Sequence, residues 1–308
     1  MSTRILVIRL GALGDFVLSS GPFQVIRDHH RDAHIVLLTT APYEALAVGG
    51  GWFDEVWLDD KPKWWQFADV RSLSNRLNED AFDRVYDLQT SDRSSSYFRL
   101  FKRPRPDWSG IARGCSHPHA NPERDRLHTV ERQADQLRMA GIEGVPPPDL
   151  SMIDADLSAF DLPDRFALIV PGSAPHRPEK RWPAERYGEL CHRLKGMNLT
   201  VVLIGGPAET DVLSTIASTR RDSVNLCGRT SFEQIAALGR CAELAIGNDT
   251  GPMHLVATAG CPSLTLFSSS SDPALTAPRG RSVTVFSRYN LTDLSVDEVA
   301  HAARLAFA

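Results

Sequence analysis

A chain of 308 residues exceeds the roughly 100–200 residues of one typical domain and favours two domains. With 42% hydrophobic and 23% charged residues, its composition excludes fibrous and disordered classes. Lys and Arg number 34 against 38 Asp and Glu, and the net charge of -4 argues against a surface built for nucleic acid.

The N-terminus enters directly into Arg4-Ile-Leu-Val-Ile-Arg9, without the basic flank and cleavage site of a signal peptide. No apolar run approaches the roughly 18 residues of a spanning helix. Cys115, Cys191, Cys227, Cys241 and Cys261 are odd in number and form no CxxC pair, which fits a reducing cytoplasm. Ile5–Ile8, His34–Leu38, Val56–Leu58 and Arg84–Leu88 read as strands followed mostly by amphipathic stretches, the pattern of a parallel sheet covered by helices. Pro146-Pro147-Pro148 interrupts regular structure within 142–163 and marks a linker, so the domains expected are 1–155 and 156–308. The alternation then restarts with strands at Phe166–Val170, Thr200–Ile204, Leu244–Ile246 and Ser263–Phe267 and a helix at Ala184–Lys195. Helical spacing of Val296, Val299, Ala300, Ala303 and Phe307 predicts a last helix, expected to lie across the domain junction.

Both halves run a strand into a glycine-containing loop and then a helix, and α/β proteins place ligands at such strand ends. The first loop, Arg9-Leu-Gly-Ala-Leu-Gly-Asp15, is not GxGxxG, and the second strand ends in Thr39-Thr40 rather than an acidic residue. A nicotinamide oxidoreductase is therefore disfavoured, as is an ATPase for want of a GxxxxGK[ST] loop. Asp15 either projects a carboxylate into a site or caps the next helix. Pro171-Gly-Ser173-Ala with Lys180-Arg-Trp-Pro183 reads as a diphosphate site or as a solvated loop before a helix. Glu209, after Gly205-Gly206, either accepts ribose hydroxyls or caps a helix. In Gly247-Asn-Asp249-Thr250-Gly251-Pro-Met-His254 a strand empties into a polar turn and a helix start, which favours phosphate. Cys115, His117, His119 and His128 match no zinc spacing, and no metal is expected.

In order, these segments resemble glycosyltransferase family 9, the ADP-heptose:lipopolysaccharide heptosyltransferases. The resemblance rests most specifically on Gly14-Asp15, Lys180-x-Trp182-Pro183 and Asp249–His254. It implies an α/β GT-B fold, two Rossmann-like domains facing each other across a cleft, with acceptor on the first and nucleotide sugar on the second. It implies inverting transfer of heptose from ADP-heptose to a lipopolysaccharide precursor or related glycolipid, with Asp15 as general base and no cofactor beyond the donor. Lys180 and the turn of Asp249, Thr250, Gly251 and His254 would hold the diphosphate, with Ser173 beside them. Glu209 would hold the ribose, Arg229 and Thr230 would lie at the adenine, and Asp272-Pro273 resembles a donor-side pair. Gly14, Lys61, Lys63 and Arg113 fall on the acceptor side, and Arg99–Arg105 is a basic run that would touch anionic lipid or simply face solvent. A cytoplasmic location, peripheral on the inner membrane face, would follow. The competing readings are a nucleotide-sugar epimerase on a GT-B scaffold and a non-catalytic nucleotide-sugar-binding subunit.

Overall fold

Residues 3–174 and 176–307 are described by a computed structural model in which the chain divides into two units, 1–148 and 149–308. In the first unit the strands are β1 (Arg4–Ile8), β2 (His34–Thr39), β3 (Glu55–Leu58), β4 (Arg84–Asp87), β5 (Asp107–Gly110) and β6 (His117–Pro118). In the second they are β7 (Phe166–Val170), β8 (Thr200–Leu203), β9 (Val224–Asn225), β10 (Leu244–Asn248), β11 (Ser263–Phe267) and β12 (Val283–Ser287). All the pairings are parallel. The orders are β3-β2-β1-β4-β5-β6 and β12-β11-β10-β7-β8-β9, which is one doubly wound order used twice.

The central strands are continuous apolar runs because parallel strands are buried on both faces. Ile5–Ile8 and Phe166–Val170 are fully or almost fully buried. One core joins Leu6, Ile8, Val36, Leu38, Val85 and Trp108, and another joins Ala167, Ile169, Leu190, Leu194, Val201 and Ile246.

The division falls directly after the triproline, ahead of the expected 155/156 boundary. Residues beyond it already belong to the second unit: Ile153 is buried, and Arg240 on the helix Phe232–Cys241 bonds its carbonyl and pairs with Asp154 at 2.9 Å. The last helix, Val296–Phe307, packs on the helix Ala184–Lys195 and on β10 and β11. Val296, Val299, Ala300 and Ala303 enter the second core, so the apolar stripe expected at the junction is used within that unit. No helix among the described residues is long and apolar enough to cross a membrane.

Candidate active site

Each sheet reverses its winding once, between β1 and β4 in the first unit and between β7 and β10 in the second. The carboxyl ends of those strand pairs are where doubly wound sheets take ligands.

In the first unit, the backbone leaving β1 is pinned from both sides. Arg9 N donates to the Leu38 carbonyl at 3.0 Å, the Thr39 hydroxyl donates to the Arg9 carbonyl at 2.7 Å, and Leu10 N donates to Gln89 Oε1 at 2.8 Å. Gly11 has φ +117°, and a Cβ there would lie 2.8 Å from the Tyr43 ring, so only glycine fits. The Tyr43 ring stacks on Phe16, with centroids 5.2 Å apart, and burial raises its phenol pKa.

The helix Leu13–Leu18 then begins, with Gly14 and Asp15 in its first turn. Its N-cap is Ala12, with no side-chain cap, so Asp15 does not occupy the capping position. Its carboxylate, 37% exposed, instead meets the buried Arg9 guanidinium, Oδ1 to Nη2 3.4 Å. From β4, Asp87 is fully buried, and burial pushes its carboxyl up to about 7 against the opposing effects of bonds from Ser94 and two backbone amides and the charge of Arg9. Lys61 joins this loop by donating from Nζ to the Leu10 carbonyl at 3.1 Å. Lys63 lies over the exposed Trp65 ring, 5.1 Å from its centroid. Arg113 is exposed after β5, two strands along the sheet from β1.

The second site is organised by Asn248, buried at the end of β10. Its Nδ2 donates to the Pro171 carbonyl at 2.6 Å, while Oδ1 accepts from Trp182 N at 3.1 Å and the Tyr187 hydroxyl at 2.9 Å. Trp182 is itself anchored in the core, its indole N–H donating to the Leu294 carbonyl at 3.0 Å. The chain ahead of Trp182 is thereby held against β10, and Lys180 Nζ reaches Asp249 Oδ2 at 2.6 Å. Ser271 donates to the same carboxylate oxygen at 2.6 Å. Thr250 takes the N-cap position of the helix Gly251–Thr258 without a side-chain cap bond, so its hydroxyl and the Gly251 amide are what this helix start offers an anion, Pro252 having no N–H and Met253 N donating to the Thr250 carbonyl at 3.0 Å. His254 is buried in the same helix.

Ser173 lies beside them, its hydroxyl donating to the Arg177 carbonyl and accepting from Arg181 Nε, each at 3.0 Å. Glu209 accepts from Gly206 N at 2.6 Å and lies where a side chain on Gly172 would be, which brings the loops after β7 and β8 together. Arg229 and Thr230 follow β9 at the edge of the sheet, and Arg229 sits over the Phe160 ring at 5.8 Å. Asp272 caps its own short helix through Ala274 N at 2.9 Å.

Sequence reasoning overlooked Arg9, Tyr43, Asp87 and Ser271 as parts of these sites. A charged residue ending an apolar run, as at Ile8-Arg9 and Val85-Tyr86-Asp87, was the available signal. His119 pairs with Asp135 at 3.0 Å and His117 with the Ser116 hydroxyl at 2.9 Å. Among the described residues no three side chains converge as metal ligands.

The family model for glycosyltransferase family 9 (heptosyltransferase) matches residues 70–300. The chain belongs to this family. The family 9 transferase is 24% identical over 302 residues to the lipopolysaccharide core heptosyltransferase OpsX of Haemophilus influenzae, covering 92% of this chain and 84% of that one. Its fold matches the glycosyl transferase family 9 structure from Veillonella parvula, with TM-score 0.87, 21% identity and coverage of 99% and 97%. It also matches the Escherichia coli heptosyltransferase WaaC solved with ADP, with TM-score 0.80, 19% identity and coverage of 99% and 100%. This transferase therefore has the α/β fold class of GT-B enzymes and is a glycosyltransferase.

Proposed function

We propose that the chain transfers heptose from ADP-heptose to a hydroxyl of a lipopolysaccharide core acceptor, with inversion at the anomeric carbon. The observation that carries this reading is the meeting of Lys180, Asp249 and the Thr250–Gly251 helix start at the β7/β10 reversal, which puts a lysine, a hydroxyl and a helix N-terminus where a diphosphate can be received. The ADP-bound relative of the same fold and the heptosyltransferase relative support the choice of base and sugar.

In this reading Asp15 takes the acceptor proton as the hydroxyl oxygen attacks the anomeric carbon. The new C–O bond forms on the face opposite the leaving group, the bond to the β-phosphate oxygen breaks, and ADP departs. Lys180, the Gly251 amide and His254 offset the charge that develops on the diphosphate, so this chemistry calls on no cofactor besides the donor. Ser173 lines the diphosphate loop, Glu209 holds the ribose, and Arg229 and Thr230 flank the adenine. Gly14, Lys61, Lys63 and Arg113 receive an anionic glycolipid presented at the cytoplasmic face of the inner membrane, where attachment is peripheral. The domains work as acceptor-binding and donor-binding halves, with Asp15 and Lys180 on opposite sides of the division after Pro148.

The test is a transfer assay with ADP-heptose and heptose-deficient lipopolysaccharide, beside a thermal-shift series of ADP, UDP, GDP and their sugars. ADP release that requires acceptor, and strongest stabilisation by ADP ligands, are expected. Turnover of donor without acceptor would replace transfer by epimerisation, and stronger stabilisation by a UDP-sugar would remove ADP-heptose as donor.

A further inference from the structure

We propose that Arg9 is a positioning residue for Asp15, holding one carboxylate oxygen so that the other is left to take the acceptor proton. The inference rests on the reading of Asp15 as base and extends it to a residue that touches neither substrate.

Arg9 is 2% exposed, yet its guanidinium makes little use of the protein around it. Nη1 donates to the Leu88 carbonyl at 2.6 Å. Among the described residues Nε and Nη2 find no hydrogen-bond acceptor, and the contact of Nη2 is the ion pair with Asp15 Oδ1 at 3.4 Å. A guanidinium has five N–H donors, and removing its charge from water costs several kcal/mol unless carboxylates and carbonyls take up those donors. An arginine kept only to tie β1 to β4 would be expected to spend its donors on them. Here the charged end instead reaches past the strand ends to a half-exposed carboxylate.

The approach is also rigid. The Arg9 backbone is bonded to β2 through Leu38 and Thr39, and the next residue to Gln89 beyond β4. The backbone is thus fixed from both sides and the guanidinium by its bond to the Leu88 carbonyl, whereas Asp15 sits on a helix of six residues whose N-cap supplies no side-chain bond. Asp87, the other nearby carboxyl, is buried and accepts from Thr90 N at 3.0 Å through Oδ1. Of the two carboxyls, Asp15 is the solvent-facing one in ion-pair contact with Arg9.

The experiment is a double-mutant cycle on turnover at saturating donor and acceptor, comparing wild type, Arg9→Gln, Asp15→Asn and the double variant, with ADP affinity and melting curves for each. Arg9→Gln should lower kcat about 10- to 100-fold while ADP affinity changes by less than about twofold. In the Asp15→Asn background the same change should cost less than about threefold. Arg9→Lys keeps the charge but not the fork, and its turnover should fall between those of wild type and Arg9→Gln. An equal cost of Arg9→Gln in both backgrounds, or an unchanged kcat, overturns the proposal. If Arg9→Gln does not fold, the cycle is run with Arg9→Lys on the same criterion. Normal turnover in Asp15→Asn would remove the base reading itself. Loss in Asp15→Asn with none in Arg9→Gln or Arg9→Lys would remove the positioning role alone.

Discussion

Asp15 and Lys180 are both held by an opposite charge, and the two pairs differ in what they leave available. Asp15 has a half-exposed carboxylate with one oxygen engaged, so Asp15→Asn, nearly equal in size, tests the chemistry without emptying the space. Turnover should fall on the order of 100-fold or more with nucleotide affinity near wild type, while the melting temperature drops because the buried Arg9 loses its opposite charge. Lys180 is 16% exposed and already paired with Asp249. Lys180→Ala and His254→Ala should each weaken ADP binding in calorimetry and slow transfer together, and unchanged affinity in both would detach them from the diphosphate. Asp87 carries a different consequence. Burial raises its carboxyl from 3.8 in the unfolded chain to about 7, so the folded state holds the extra proton between these values. Its stabilisation is complete below about pH 4, declines as pH rises toward 7 and is absent above it, at a slope on the order of 1 kcal/mol per pH unit. Asp87→Asn should flatten the melting temperature between pH 4 and 7 and stabilise the protein at pH 8. Parallel curves for the two proteins would refute this.

At the level of strands and helices, Gly247 of β10 packs closely against Val170 of β7. A Cβ there would lie 2.6 Å from the Val170 carbonyl and 2.7 Å from Met253 Sδ. Gly247→Ala should therefore destabilise by about 1–3 kcal/mol and lower nucleotide affinity, because it pushes the two loop-bearing strands apart. A melting curve and an ADP titration read both effects, and a stable variant with normal affinity would refute it. Strands such as Ile5–Ile8 and Phe166–Val170 were legible in sequence because burial on both faces demands an unbroken apolar run. Asp107-Trp-Ser-Gly110, His117-Pro118, Val224-Asn225 and the half-exposed Val283–Ser287 were not read as strands. They are short or lie toward sheet edges, where pairing to a neighbour rather than hydrophobicity defines the strand. The loops at Gly11–Asp15, Ser173–Lys180 and Asn248–His254 stood out because polar and glycine residues follow apolar runs. Arg9 and Asp87 did not, because the burial of Arg9 is decided by β2 and β4 and that of Asp87 by its pairing with β1, strands remote in sequence from each.

Across the whole molecule, each unit has its own sheet and its own core. Residues 149–308 expressed alone should fold and bind ADP within about tenfold of the full chain, since Lys180, Glu209 and Asp249–His254 all lie in that unit. Circular dichroism and calorimetry check this, and a folded fragment that does not bind ADP would assign part of the donor site to residues before the division. The doubly wound order repeats in both halves, of which the sequence shows only the shared strand, glycine-containing loop and helix. Pro148 consequently marks a seam along which inheritance can act separately on the two partners of the reaction. Under the proposed assignment of base and donor site, recombination there would exchange the half bearing Lys180 while Asp15 and Arg9 pass on unchanged. A lineage would then change the sugar it delivers without rebuilding the proposed proton acceptor.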